Sequence, residues 1–432
     1  MGVSGIKCFK YISIFAASLL LVEQSFSADL PQDPIETVEP GHGWTGLYVG
    51  GFIGAGGIVN NVEFPALGAG NFNGIGGEGL FGGVMAGYNF QVTSNFVVGI
   101  EGEVGLTDLT TELNIPGLVS VEAQPEWTAA VSARLGWLPS ADTMIYVLGG
   151  YSYADYNVDI NPGGGGGGFS QDYHGLHIGT GMEARIRRNL TARVEYRYTQ
   201  YGGEDWGTAG AIDIEPSSHT GRIGLAWNLF DYGPQGDSPV PGYSPESWTG
   251  IYVGLYGAAG AVVDNVEIPG LGAGNFNGIG GEGVAGGAMV GYDHQFGPNW
   301  VAGLQAELGL SDITTELNIP GLVSAEAGAD WTASVSARLG WLARPETMLY
   351  VIGGYSYADV DVSVSGLGSL SDDFHGFHIG TGMETYLCQN LTARVEYRYT
   401  QYGGEDFGSG GALDIEPSSH SGRVGVAWKF GG

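Results

Sequence analysis

The chain has 432 residues, of which 80 are glycine and only 14% are charged, whereas about 25% charged residues are typical of soluble globular domains. Acidic residues outnumber basic ones 46 to 15, which gives a net charge of −31. This charge argues against nucleic acid as a partner, and the composition is not that of an average cytoplasmic protein.

The first segment predicts export from the cytoplasm. Lys7 precedes an apolar run over residues 11–22, and small residues stand just before Ala28. This order is typical of a cleaved secretory signal peptide, which we place at residues 1–27. The apolar run is shorter than the ~20 residues that a membrane-spanning helix needs. Residues 28–43 then form an N-terminal segment ahead of the first repeated unit.

The remainder of the chain is an internal duplication. WTGLYVG at residues 44–50 returns as WTGIYVG at 248–254, and many longer stretches repeat at nearly the same offset. We therefore predict two homologous units over 44–230 and 248–430. The proline-rich stretch 231–247 is interpreted as the linker between them.

Within each unit the apolar residues recur with a period of two, which predicts β-strands. In LTARVEYRY, Leu190, Val194 and Tyr196 share one face, while Arg193 and Glu195 share the other. No run shows the 3.6-residue period of a helix. The runs are about as long as the 9–11 residues that a tilted transmembrane strand requires, or slightly longer. In the first unit the predicted strands are roughly 44–57, 79–91, 96–107, 126–138, 144–158, 172–184, 190–202 and 218–230.

GIGGEG at residues 74–79 has the G-x-G-x-x-G form of dinucleotide-binding turns, and it recurs in the second unit at 278–283. Such a turn must open a helix, whose N-terminal N–H groups bind the phosphates. Because no helix is predicted there, we interpret the motif as an exposed glycine-rich loop between two strands.

Alternating strands can also build a soluble β-sandwich, so the distribution of charge matters. After the signal peptide, the basic residues lie on polar strand faces or in short turns, whereas the long loops carry only acids, such as Asp108, Glu112 and Glu122. Long and short connections alternate, as in transmembrane barrels. We therefore predict an all-β fold, a transmembrane antiparallel β-barrel. Tryptophans near the strand ends are predicted to form aromatic girdles: Trp127, Trp137, Trp227, Trp331, Trp341 and Trp428.

Several motifs resemble the small outer-membrane β-barrel proteins of α-proteobacteria, a family that includes surface antigens and hemin-binding members. They are ADLP after the signal, W-T-G-x-Y-V-G at the start of each unit, R-V-E-Y-R-Y in its seventh strand, and S-H-[TS]-G-R-[IV]-G-[LV]-A-W at its end. The resemblance implies a location in the bacterial outer membrane, residues 28–43 in the periplasm, and insertion by the barrel-assembly machinery. Two departures are the duplication itself and the two glycines that follow Phe430 where a terminal aromatic residue is usual.

Two architectures remain open, namely two tandem eight-stranded barrels or one sixteen-stranded barrel. The predicted inner face of the first unit carries four acids and four bases, and the second unit nearly repeats this balance, which favours two small barrels with ion-paired lumens over one open pore. The predicted lumen charge network of the first unit consists of Glu101, Glu103, Arg134, Glu183, Arg193, Glu195, Arg197 and Arg222. That of the second unit consists of Glu307, Arg338, Glu384, Arg394, Glu396, Arg398 and Arg423, with Gln305 in place of one acid.

Residues with catalytic or ligand-binding potential are few. Each unit has a pair of histidines at positions i and i+3 of a strand, so their rings lie on opposite faces and no metal site is predicted. No cofactor and no catalytic residue is predicted either. The resemblance makes His177, His219, His378 and His420 candidate hemin-binding residues, with His177 and His219 both near the outer mouth of the lumen. The structural alternative is that these histidines cap the lumen charges.

The sequence therefore predicts a structural, surface-exposed outer-membrane protein. Its acidic outer loops are expected to bind lipopolysaccharide phosphates through divalent cations and so to support the envelope. Two alternatives remain: a cation-preferring general-diffusion porin and a hemin-binding surface receptor. The sequence does not fix the oligomeric state.

Overall fold

The computed structural model describes residues 43–63, 71–115, 119–161, 167–206, 212–229, 245–267, 275–319, 323–364, 368–407 and 413–430. The predicted signal peptide, nearly all of the N-terminal segment and most of the proline-rich linker lie outside these ranges, so those boundaries stay predictions. Across the described ranges, no helix is long and apolar enough to cross a membrane.

The first unit is built from antiparallel strands that close on themselves. β1 pairs with β2 and also with β10, so eight main strands form a ring in which each is hydrogen-bonded to two neighbours. Two short strands, β4 and β9, extend the ring at its outer end. The strands are β1 Gly46–Glu63, β2 Asn71–Gln91, β3 Phe96–Thr107, β4 Thr111–Ile115, β5 Val119–Ser140, β6 Thr143–Asn161, β7 Gly167–Arg187, β8 Leu190–Tyr201, β9 Glu204–Trp206 and β10 Ile212–Asn228.

The second unit repeats this ring, with β11 paired to both β12 and β20. Its strands are β11 Gly250–Glu267, β12 Asn275–Phe296, β13 Trp300–Ser311, β14 Thr314–Ile319, β15 Val323–Arg344, β16 Thr347–Val364, β17 Gly368–Cys388, β18 Leu391–Tyr402, β19 Glu405–Phe407 and β20 Leu413–Phe430. The predicted all-β antiparallel barrel is confirmed. The hydrogen bonding of the described strands builds two rings rather than one ring of sixteen.

Each ring turns its apolar side chains outward. In β3, Ile100 is 65% exposed and Val104 51% exposed, whereas Val97 and Glu101, which point inward, are buried. A soluble protein would place these two classes the other way round. The outward apolar face fits a lipid environment, and the polar residues that alternate with it face the interior.

The interpretation of GIGGEG as an exposed loop is wrong. Residues 74–79 lie inside β2, which begins at Asn71 and pairs with β1 through this segment. Gly76 and Gly77 are buried rather than exposed. A Cβ atom at Gly76 would lie 2.9 Å from Cγ1 of Val263 in the second unit, so the glycine is required by a close approach and not by a turn.

Candidate functional site: the lumen and the outer rim

The inner end of each lumen is filled by a tryptophan that precedes the first strand. Trp44 is 2% exposed and packs with Leu138, Met144 and Tyr146, and its indole Nε1 donates to the Ala141 carbonyl oxygen at 3.0 Å. The counterpart in the second unit is Trp248, which donates to the Pro345 carbonyl oxygen at 2.8 Å. This tryptophan floor is absent from the residues predicted from the sequence, although both tryptophans belong to the W-T-G motif and share the inward phase of their strands.

In the first unit, the eight predicted lumen charges meet above this floor. Arg193 lies 2.6 Å from Glu101, and Arg134 lies 3.0 Å from Glu183. Tyr48 donates from its hydroxyl to Glu101 at 2.7 Å, which adds a neutral donor to the network. These residues come from strands on different sides of the ring, so their ion pairs cross the lumen.

The outer half of the same network has two further arginines. Arg197 lies 2.7 Å from Glu103, and Arg222 lies 2.9 Å from the same carboxylate. Arg222 also pairs with Glu195, which Tyr146 reaches through a hydroxyl hydrogen bond of 2.8 Å. Every predicted charge of this unit is therefore in contact with a charge of opposite sign.

The second unit has the same ring of contacts around a neutral residue. Gln305 accepts hydrogen bonds from Tyr252 and Arg394, both at 2.6 Å, where the first unit has Glu101. Arg338 lies 2.7 Å from Glu384. The remaining members, Arg398, Arg423, Glu307 and Glu396, pair with one another.

The second network has two further members that are not among the predicted lumen residues. Asp293 is fully buried, accepts a hydrogen bond from Arg338 Nε at 2.8 Å, and pairs with Lys429. The corresponding residues of the first unit are Asn89 and Asn228. The alternation of β12 and β20 places both charges on the inner face, so strand phase alone could have found them.

His177 and His378 lie in the lumens, as predicted, but their ring nitrogens are already occupied. Ser132 lies 2.9 Å from Nε2 of His177, and Ser152 lies 2.8 Å from its Nδ1. His378 has the same arrangement with Ser336 and Ser356, both at 2.8 Å. Tyr156, Tyr173 and Tyr201 form a buried cluster in the first unit, on the outer side of this level.

His219 and His420 are not lumen residues, and the expectation that His219 lies with His177 near the outer mouth of the lumen is wrong. Both lie on the outer face of their strands, in phase with exposed residues such as Ile223. His219 Nε2 lies 3.0 Å from Glu282 of the second unit, and His420 Nε2 lies 3.0 Å from Glu78 of the first. The four histidines therefore do not converge on one ligand.

The six predicted girdle tryptophans occupy different environments. Trp227 and Trp428 are exposed on the outward face near the inner strand ends. Trp127 and Trp331 are at the opposite end and donate from Nε1 to Asp155 at 3.0 Å and to Asp359 at 2.6 Å. Trp137 is partly buried against an apolar cluster that spans both units, and Trp341 is half-buried.

The outer strand ends bring acidic side chains into register. Glu112 lies opposite Glu122, which in turn lies opposite Asp159, so three exposed carboxylates share one row across three strands. Like charges opposite each other destabilise a sheet unless a cation or proton intervenes. Asp155 and Asp172 are likewise opposite, and the hydroxyl of Tyr153 donates a hydrogen bond to Asp172 at 2.7 Å.

Among the described residues, no group of three or more histidine, cysteine, aspartate or glutamate side chains is close enough to hold a metal ion.

The comparisons with known proteins agree with this architecture. The chain is 28% identical to the 31 kDa outer-membrane immunogenic protein of Brucella melitensis, in a match that covers 50% of this chain and 94% of the relative. It is 30% identical to the 25 kDa outer-membrane immunogenic protein of Brucella canis, which is matched over its full length by 52% of this chain. A 22 kDa outer membrane protein of Rhizobium leguminosarum bv. viciae is 30% identical over 43% of this chain and 79% of its own.

Each of these relatives thus corresponds to about half of the chain, as expected for a duplicated unit. The model of the outer membrane protein beta-barrel domain family matches twice, at residues 18–228 and 238–430. The chain therefore belongs to the outer membrane protein β-barrel domain family, and it is a protein of the bacterial outer membrane.

Proposed function

We propose that this protein is a structural component of the outer membrane, with lumens closed to solutes and an acidic outer surface that binds the outer leaflet. The observation that carries this proposal is the ion-pair network, in which Arg193 reaches Glu101 across the ring at 2.6 Å. An eight-stranded ring leaves an interior that side chains can fill, whereas open channels are typical of much wider barrels. The tryptophan floor and the tyrosine cluster add further layers along the same axis.

The acidic rows support binding to lipopolysaccharide through divalent cations. Three carboxylates held in register by β4, β5 and β6 repel one another, and a bound Mg²⁺ or Ca²⁺ would relieve that repulsion. Lipopolysaccharide phosphates would complete the coordination of such an ion. In this proposal the two units offer similar acidic surfaces, since Glu316 lies opposite Glu326 in the second unit.

The closed lumen is tested by ion conductance of the refolded mature protein in a planar bilayer. We expect little or no current. Large, stable and cation-selective openings would contradict the proposal and support the porin alternative. The double variant Glu101→Ala with Arg193→Ala is the matched comparison. It removes one ion pair from one lumen without changing the net charge, and it should raise the ion current through that lumen.

Lipid binding is tested separately, on vesicles that contain lipopolysaccharide. Removal of Mg²⁺ and Ca²⁺ with a chelator should weaken the association of the protein, and Glu112→Gln with Glu122→Gln should reduce that dependence. If the affinity of the protein for these vesicles does not change in chelator, the proposed role of divalent cations is wrong. The hemin alternative is tested by titration with hemin: the serine contacts of His177 and His378 lead us to expect no Soret shift that depends on these residues.

A further inference from the structure

The outward face of β8 differs from that of the other strands. In β3 every second residue is exposed, whereas β8 is buried on both faces along most of its length. Val194 points outward yet is 1% exposed, because it packs in a cluster with Met182 of its own unit and Met383 and Val395 of the other. The apolar face of β8 therefore contacts protein where the rule for this fold expects lipid.

The contacts across this face are reciprocal. The ring of Tyr196 lies against Gly422, and the ring of its counterpart Tyr397 lies against Gly221, with 2.0 Å from an added glycine Cβ to the tyrosine Cγ in both cases. A side chain at either glycine would therefore collide with the facing tyrosine. The same pair of positions is thus in contact twice, once in each direction between the units. This reciprocity defines an isologous, two-fold interface.

Acid–histidine pairs repeat the reciprocity at the outer end. Glu78, from the GIGGEG motif, lies 3.0 Å from His420 Nε2 and accepts a hydrogen bond from Ser418 at 2.7 Å. Its counterpart Glu282 lies 3.0 Å from His219 Nε2 and accepts a hydrogen bond from Ser217 at 2.8 Å. The duplicated motif thus supplies the carboxylate of each of the two equivalent acid–histidine pairs between the units.

Two contacts locate the axis of this symmetry. Ile75 pairs with its own counterpart Ile279 near the outer ends of the barrels. Thr143 contacts its own counterpart Thr347, with 2.7 Å between the hydroxyl oxygens, in the turns at the inner ends. A residue can meet its counterpart only on the two-fold axis, so the axis runs from one end of the barrels to the other. Both barrels then cross the membrane in the same direction, as a shared bilayer requires.

We propose that the two barrels are permanent partners, and that the duplicated chain is a covalently linked, pseudo-symmetric dimer of barrels in the membrane. The interface comprises the outward faces of β7, β8 and β10, the equivalent strands of the second unit, and the GIGGEG segments. Its contact set is complete within each unit, since Glu78, Ser217, His219, Tyr196 and Gly221 all belong to the first. The pairing is independent of whether the lumens conduct ions.

The test uses the full chain with a protease site inserted in the proline-rich linker and an affinity tag on one half. After refolding and cleavage in mild detergent, we expect the untagged half to co-purify with the tagged half. The variant Gly221→Val with Gly422→Val should release it, because both valines collide with the facing tyrosines. The matched control is Gly102→Val with Gly257→Val, where an added Cβ meets nothing within 4 Å, and these halves should stay together.

Folding of each half is followed by its mobility shift on an unheated gel. Separation of the parental halves, or retention of the halves in Gly221→Val with Gly422→Val, would overturn the proposal. If that variant does not fold, Thr143→Cys with Thr347→Cys in a Cys388→Ser background decides the matter. Oxidation should link the cleaved halves into one band that a reductant splits, and the absence of this band in a folded protein contradicts the interface.

Discussion

The two barrels share one ring of strands, yet they balance their buried charges differently. The first opposes four arginines with four glutamates, whereas the second loses one acid at Gln305 and gains Asp293 and Lys429 nearer the floor. Asp293 has Arg338 as a second partner beside Lys429, so the added acid lies next to two opposite charges rather than in isolation. The difference indicates that the lumen requires every charge to have a partner, and that the identity of each residue matters less.

The largest expected effect comes from removing a central arginine. Arg193→Ala removes the ion pair of the buried Glu101 and leaves it the Tyr48 hydroxyl as a hydrogen-bond donor, which should cost about 3–5 kcal/mol of unfolding free energy. Arg394→Ala leaves a neutral Gln305, and Glu384 keeps Arg338, so the loss should be about 1–3 kcal/mol. Urea unfolding in lipid vesicles measures both. Equal losses would mean that the glutamate and the glutamine are equivalent in their lumens.

The added pair of the second barrel should behave as a unit. Lys429→Asn or Asp293→Asn alone leaves a charge with fewer partners, whereas the double variant restores the two asparagines of the first barrel. We expect a coupling free energy of about 1.5–3 kcal/mol in a double-mutant cycle. Strict additivity of the two single losses would contradict the pairing. The same unfolding assay gives the four values.

A smaller effect distinguishes the barrels by pH. Asp264 replaces Asn60, and burial raises its pKa to about 6, despite a hydrogen bond from Thr315. An acid whose folded-state pKa is raised stabilises the fold in its protonated form. That stability is present below the ordinary pKa, near 4, and is lost as the pH rises through 6.

Asp264→Asn should therefore remove this loss and raise stability above pH 6 by on the order of 1–2 kcal/mol. The thermal midpoint of the folded gel band between pH 4 and pH 8 measures it. Asn60→Asp, at the corresponding position of the first barrel, should introduce a loss of the same sign. Parallel pH profiles for the parent and Asp264→Asn would show that the carboxyl is not buried in the folded protein.

The smallest effect concerns the interface, where the two barrels should not differ. Each of the variants Glu78→Gln and Glu282→Gln weakens one acid–histidine pair. Each should lower the stability of the interface by about 1 kcal/mol or less, since both sites are partly exposed. Co-purification of the cleaved halves at increasing urea concentration compares the two variants. Equal urea midpoints for the dissociation of the halves would support the two-fold assignment, and a large difference between the two midpoints would contradict it.

Much of this architecture could be predicted from strand phase. The period of two in LTARVEYRY places Arg193 and Glu195 inside the ring, because a strand alternates its faces residue by residue. The lumen members follow from this rule. Asp293 and Lys429 obey it as well, although their counterparts in the first barrel, Asn89 and Asn228, carry no charge.

The interface could not be read in the same way. An outward apolar face looks alike whether lipid or protein covers it, so Val194 and Val104 carry the same signal in sequence although one is buried and the other 51% exposed. Glycines suit both a loop and a close approach of two backbones, which explains the wrong assignment of GIGGEG. The prediction for His219 fails because a shift of one residue in phase moves a side chain to the opposite face of a strand.

The pair formed by Asp293 and Lys429 has a consequence for how such a protein can change over generations. In an assembly of two identical subunits, every substitution appears in both copies, so a new buried charge must be tolerated twice. In a fused pair each copy varies by itself. One barrel can acquire Lys429 and Asp293 while the other keeps Asn228 and Asn89, and the shared surface that joins them need not change.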